Sequence, residues 1–198
     1  MAAGGLLLAG SLFLMTFNCV EETLADRQAA ETVQVLTQQI IPELPDKTNT
    51  ETTAKQIQSV SVKDESYIGV LDISTLGLSL PVMDNWSYPK LKKAPCRYSG
   101  SFLTDDMIIA GHNYKRHFSL LKQLKQGDLI TFTDVDGFVY SYQVVTVETL
   151  ASSDMQGMRS ENPGLTLFTC TYGGNSRVAV RCERGSRQYQ LNKSFFLR

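Results

Sequence analysis

The sequence predicts an all-β fold, a closed or nearly closed barrel of short strands, preceded by one apolar N-terminal helix. Three observations carry that reading. Beyond Tyr67 the chain breaks into short runs rich in β-branched and aromatic residues, each bounded by turn formers. Within that stretch only residues 118–124 read as a helix, and a brief one. Ahead of it, residues 2–20 carry no charged side chain. Many short strands with one or two short helices bury their apolar faces most completely when the sheet closes on itself.

The strands follow in order. Residues 68–73, 78–82 and 107–110 are apolar runs of strand length. Residues 129–133 and 138–147 flank Asp134-Val135-Asp136-Gly137, a polar loop of hairpin type. That loop begins like a calcium loop, but the later ligands, including the terminal glutamate, are missing, so a turn is the better reading. Residues 165–169 and 178–182 complete the set.

The N-terminal run contains Leu6, Leu7, Leu8, Leu12, Phe13, Leu14, Met15 and Phe17 and is near the minimum length for a membrane helix. A cleavable signal peptide would want a basic start and a small-x-small site, which Phe17-Asn18-Cys19 does not supply, nor do small residues precede Cys19 as lipid attachment would require. An uncleaved anchor over residues 1–20 is therefore expected. Val33, Leu36 and Ile40 then recur at helical spacing, Pro42 and Pro45 break the pattern, and a Thr, Lys, Gln and Glu stretch follows. Residues 21–66 thus read as an extracellular helix and stalk, and residues 67–198 as the folded domain.

With 198 residues, 42% of them hydrophobic, the chain can build one domain with a proper core. Its 19 basic and 20 acidic residues give a net charge of -1, which excludes a nucleic-acid partner attracted by charge alone. Cys19, Cys96, Cys170 and Cys182 are too scattered for a disulfide framework, no close Cys pair is present, and His112 and His117 are the only histidines, so no metal or other cofactor is expected.

The chemistry concentrates at two strand ends. Leu165-Thr166-Leu167-Phe168-Thr169-Cys170 delivers a cysteine to the end of an apolar strand, where a nucleophile is held on a rigid element yet reached by substrate. Taken alone, Cys170 would read as a small hydrophobe. His112, in Ala110-Gly111-His112-Asn113, also ends a strand, and Gly111 would let another group come close. An imidazole beside a thiol raises the usable thiolate and later protonates a leaving amine. Beyond Cys170, alternation puts Arg177, Ala179 and Arg181 on one strand face and Val178, Val180 and Cys182 on the other. A guanidinium there could stabilise an oxyanion, although two solvated arginines on an edge strand would look the same.

Together these residues resemble the sortases, whose signature is a T-L-x-T-C strand end with an upstream histidine and a downstream arginine. The match runs in order and spacing from about Tyr67 to Glu183, and the anchor and stalk agree with that family's layout. Phe168 at the variable position leaves the subclass open, with class B-like and related clostridial types in view. The resemblance implies a barrel of about eight strands and a membrane-anchored cysteine transpeptidase. It also implies cleavage of an LPxTG-like sorting signal between Thr and Gly, and transfer of the thioacyl intermediate to an amine of a cell-wall precursor or a pilin lysine. Carried over by residue, Cys170 is the nucleophile, His112 the acid/base and Arg177 the oxyanion group. Thr169 is expected to contact substrate, and the Thr171 amide to add an oxyanion donor. Arg181 is the alternative to Arg177, but lies about 13 Å further along the strand.

Two other readings use the same residues: a thiol hydrolase with water as acceptor, and a non-catalytic membrane-tethered binding barrel. His117 reads as a solvated residue at a helix start. A Cys96–Cys182 disulfide is an open option for an exported domain. Leu44-Pro45-Asp46-Lys47-Thr48 has no Gly after Thr48, which argues against self-processing. Glu21, Glu22 and Asp26 follow the apolar run, so the N-terminus is expected inside the cell and the domain outside. Protease added to intact cells should digest the domain; complete protection would reverse that topology.

Overall fold

The computed structural model describes residues 2–40, 56–154, 157, 164–171 and 173–185, with side chains from residue 7 onward. Helix α1 (Ala2–Gln39) leads into strands β1 (Val60–Val62), β2 (Glu65–Ile73) and β3 (Leu78–Met83). A short helix α2 (Tyr88–Leu91) precedes β4 (Cys96–Ser99) and β5 (Met107–Ala110), followed by β6 (Leu129–Asp134), β7 (Val139–Ala151), β8 (Leu165–Cys170) and β9 (Ser176–Arg184). The strands pair in the order β2-β3-β4-β5-β8-β9-β7-β6, and β6 pairs back onto β2, closing an eight-stranded barrel with β1 added alongside β2. Closure leaves no barrel edge open to another chain. The seam depends on Gly69, where a Cβ would lie 2.1 Å from the Thr133 carbonyl oxygen.

Period-two alternation sorts the side chains into layers. Met107 and Ile109 of β5, Leu165 and Leu167 of β8, and Val178, Val180 and Cys182 of β9 enter the barrel core with Ile68, Leu71, Phe132 and Tyr140. The opposite faces of β5, β8 and β9 carry a second, smaller cluster of Ile108, Ala110, Phe168 and Ala179, walled by Leu91, Tyr98 and Leu150. The loop between β6 and β7 is the expected hairpin: Asp134 accepts hydrogen bonds from the Asp136 and Phe138 amides (3.0 and 2.9 Å) and from the Tyr140 hydroxyl (3.1 Å).

Several expectations are corrected by the packing. The helix formers after residue 20 continue α1 without a break, and its second half docks on the barrel rather than standing free: Ala25, Ala29, Thr32 and Leu36 form the buried stripe. Leu36 packs with Val62, Tyr67, Val70, Met83 and Cys96; burying such a leucine contributes roughly 2 kcal/mol. The first half of α1 is apolar and exposed, and the helix contains a stretch long and apolar enough to cross a membrane. The sheet also starts before Tyr67, at β1. Residues 41–55, with the proline pair and the 44–48 stretch, lie outside the described residues. Cys96 and Cys182 do not pair, because Cys96 lies beneath α1 and Cys182 inside the barrel; burial pushes both thiols up to about 12.

A further correction concerns His117, whose side chain is 0% exposed rather than solvated. Residues 118–124 do not form a full helix but turns and a single 3-10 turn over Leu121–Gln123, which leave His117 tucked behind Tyr114, ring centroids 5.5 Å apart. Neither ring nitrogen has a hydrogen-bond partner among the described residues, and burial, aided by the nearby His112, depresses its pKa from 6.5 to about 4. The fold therefore refuses a proton that the unfolded chain accepts. Stability is complete above pH 6.5 and declines as pH falls toward 4, by about 3 kcal/mol from this group. Melting temperatures measured across that window should fall with acidification, and His117→Leu should flatten the slope by about one proton. An unchanged slope would mean that His117 does not carry it.

Candidate active site

Three neighbouring strands bring the sequence-predicted residues to one rim of the barrel. β5 and β8 run parallel with Ala110 opposite Phe168, and the Gly111 amide donates to the Phe168 carbonyl (3.0 Å), so His112 and Cys170, each two residues past that pair, follow on neighbouring segments. β9 runs antiparallel to β8 with Arg177 directly opposite Cys170. Opposed residues of an antiparallel pair share a face with Cα atoms about 4.5–5.5 Å apart. Cys170 is exposed at its strand end. His112 just past β5, Cys170 at the end of β8 and Arg177 on β9 thus form a row at this rim.

The loop after β5 folds tightly because Gly111 lies against Phe118, whose ring a Cβ at residue 111 would approach to 2.3 Å. The close neighbour that Gly111 admits is therefore this buried ring. The Phe118 amide donates back to the His112 carbonyl (3.2 Å), and the His112 ring stacks on Tyr114 with centroids 4.0 Å apart. Its Nδ1 is buried without a hydrogen-bond partner. Burial, and secondarily the Lys92 ammonium, hold the imidazole below its usual 6.5, while Glu21 and Glu22 pull the other way. His112 is consequently a neutral imidazole at pH 7, suited to accept a thiol proton.

The remaining expectations divide. Thr169 is 2% exposed and lies opposite Val178, on the inward face of β8, so alternation turns its side chain away from the face of Cys170. Thr171 uses its amide to donate to the Ser176 carbonyl (2.9 Å), and its hydroxyl lies 2.9 Å from the Ser176 hydroxyl. Its N–H is therefore committed to closing the β8–β9 turn rather than available for an oxyanion. Arg181 shares the face of Arg177 as alternation predicts, but it is 5% exposed, not solvated. Its Nε donates to Glu148 (2.7 Å), Nη1 to the Thr166 hydroxyl (3.2 Å) and Nη2 to the Gly157 carbonyl.

Sequence reasoning missed two features. Tyr114 backs the histidine ring, and its neighbourhood of Lys115 and Arg116 gave no apolar signal. An aromatic ladder also runs outward from β8: Phe168 meets Tyr98 edge-on (5.3 Å), Tyr98 meets Trp86 (5.3 Å), and Trp86 meets Tyr88 (5.7 Å). Trp86 is 40% and Tyr88 79% exposed. The lone tryptophan of the sequence, set in a polar segment, was the available clue. A separate cavity of about 180 Å³ lies between α1 and the barrel, lined by Gln28, Thr32 and Tyr67 among others, and contains no member of the row. Among the described residues no three His, Cys, Asp or Glu side chains gather as a metal site.

Solved structures place the fold. The chain superposes on sortase C-3 from Streptococcus pneumoniae with a TM-score of 0.54 at 23% identity, covering 89% of each chain. Sortase C-1 from Actinomyces oris gives 0.52 at 24% identity over 60% of this chain and 73% of that one. Sortase A from Listeria monocytogenes gives 0.55 at 18% identity over 61% and 88%. At these identities the likeness speaks for the barrel and leaves the subclass unassigned. Among curated protein sequences nothing matches the chain at a significant level. The Sortase domain family matches residues 71–185, more than half of the sequence and the whole of the His112–Cys170–Arg177 row, and the protein belongs to the sortases, cysteine transpeptidases of the cell surface.

Proposed function

We propose that the protein cleaves an LPxTG-like sorting signal between Thr and Gly and transfers the shortened protein to an amine of a cell-wall precursor or a pilin lysine. The observation that supports this reading is the register that sets Arg177 opposite Cys170 and ends β5, two residues before His112, against the strand that carries Cys170. The His112 imidazole takes the thiol proton as Sγ adds to the Thr carbonyl carbon, and the Arg177 guanidinium donates to the oxygen that becomes negative. The C–N bond then breaks, and the imidazolium returns the proton to the leaving Gly amine, leaving a thioester on Cys170. The acceptor amine attacks that thioester and gives a proton to His112; collapse forms the new amide and restores the thiol. The peptide ahead of the scissile bond runs past Trp86 and Tyr88, the exposed end of the aromatic ladder that leads out from Phe168. Anchored by α1, the enzyme works outside the cell at the membrane, on sorting-signal proteins held there.

A thiol hydrolase differs only in using water at the second step, and a non-catalytic barrel would leave Cys170 unreactive toward thiol reagents. The full chain in detergent micelles, offered LPxTG-like peptides with and without an amine, should give an amine-capped product by mass spectrometry, with none from Cys170→Ala. Hydrolysed peptide alone, at every amine concentration, would favour the hydrolase. Arg177→Lys should lower turnover by about a hundredfold, since the ammonium loses the planar fork. Arg181→Lys, by contrast, should lower the melting temperature, because it breaks a buried network. Near-normal turnover of Arg177→Lys would reject its assignment.

The His112 environment also fixes a pH dependence. Burial disfavours the imidazolium, so the base remains neutral to lower pH than a free histidine. The acid limb of kcat/KM should have its midpoint below 6.5, activity being lost as pH falls through it. A midpoint at or above 6.5 would contradict the buried imidazole as base.

A further inference from the structure

Helix α1 reaches the active-site loop as well as the barrel wall. One turn before the buried Ala25, Glu22 accepts a hydrogen bond from the backbone amide of Lys115, three residues beyond His112. On the same side of the helix Asp26 pairs with Arg116 (3.6 Å), and Glu21 pairs with Lys92 (3.2 Å), just past α2. The two ion pairs involve well-exposed cations and stabilise little by themselves. The Lys115 contact differs in kind, since a carboxylate accepting from a main-chain N–H makes a charge-assisted bond to the backbone itself.

The loop otherwise holds itself from within: the His117 and Ser119 amides both donate to the Tyr114 carbonyl (3.0 and 3.2 Å), and Phe118 donates to His112. These bonds secure its inner side. Lys115 and Arg116, on the outer side, are exposed, and the partner that the Lys115 amide has is Glu22. Tyr114, which stacks on the His112 ring, lies between the inner and outer attachments.

We infer that the acidic turn of α1 is part of the catalytic apparatus, with Glu22 the positioning residue that holds the 112–117 loop, and through Tyr114 the His112 ring, in register with Cys170. This rests on His112 acting as the acid/base of the proposed reaction. The groups facing His112 are Tyr114 and His117 of its own loop, Glu21 and Glu22 of α1, and Lys92 beyond α2, with Lys115 and Arg116 on the outer side. Two effects of Glu22 are thereby separable: its oxygen fixes the loop, and its charge favours the imidazolium.

The test uses the full chain in micelles with an accepted peptide and amine. Glu22→Ala should lower kcat by about tenfold with KM changed less than about twofold, since the histidine is misplaced while the peptide surface is intact. Glu22→Gln keeps an acceptor oxygen and should recover most of kcat at its own optimum, with the acid limb moved to lower pH. Hydrogen exchange at the Lys115 amide should quicken in Glu22→Ala and remain slow in Glu22→Gln. Unchanged kcat and exchange in Glu22→Ala would overturn the inference. So would a raised kcat, which would make α1 an obstruction. Should the wild type give no amine-capped product at all, the reaction itself is misassigned, while Lys115 exchange and NMR titration of His112 still report whether Glu22 holds the loop.

Discussion

The parallel pairing of β5 with β8 is the constraint on which the rest of the site depends. It brings two strand ends from distant parts of the chain to the same rim, so that a histidine and a cysteine emerge beside each other without any loop having to find the other. The antiparallel return of β9 then adds an arginine opposite the cysteine, in a register fixed by the turn that Thr171 and Ser176 close. Cys170 and Arg177 are therefore held by a ladder of backbone hydrogen bonds, and His112 follows closely on the end of another, so the placement of all three derives from the closed sheet.

The same alternation that fills the barrel creates a second surface outside it. Ile108, Ala110, Phe168 and Ala179 are too few to form a core of their own and depend on Leu91, Tyr98 and Leu150 as walls. Further round, a comparable outer patch is closed by α1 through Leu36. The barrel thus has one outer face covered by its own helix and another bordered by an exposed aromatic ladder. Arg177 and Arg181 show how position on such a face decides a role. Their strand and facing are the same, but Arg177 stands at the open rim and Arg181 lies under Glu148, Thr166 and Gly157, where its three guanidinium nitrogens each donate and hold neighbouring segments together.

Much of this was legible in the sequence because strands with one buried face write their period directly. β5 was bounded correctly, and β2, β3, β6, β7, β8 and β9 were recognised with shifted ends. β4 was missed because Cys96, Arg97, Tyr98 and Ser99 carry no apolar alternation, their burial being supplied by α1 and by Phe168 from elsewhere in the fold. Cys170, His112 and Arg177 could be singled out because each ends or begins a strand. The inward turn of Thr169, the committed amide of Thr171 and the burial of His117 and Arg181 depend on facing and on loop closure. A stripe such as Val33, Leu36 and Ile40 announces that a helix will be covered; it does not name what covers it.

Helix α1 has neither proline nor glycine between Val20, where its apolar run ends, and Gln39. At a rise of about 1.5 Å per residue, Glu22 stands only about 3 Å beyond Val20 along the axis. With the apolar run in a bilayer, the rim that carries His112 and Cys170 is set almost at the level of the lipid headgroups, at a height dictated by a rigid rod rather than by a slack tether. For a substrate of the proposed kind, held in the same membrane, encounter would be a search over a plane instead of a volume. On the proposed reading, the distance between a substrate's cleavage point and its own membrane segment would then act as a ruler, in addition to any side-chain contacts.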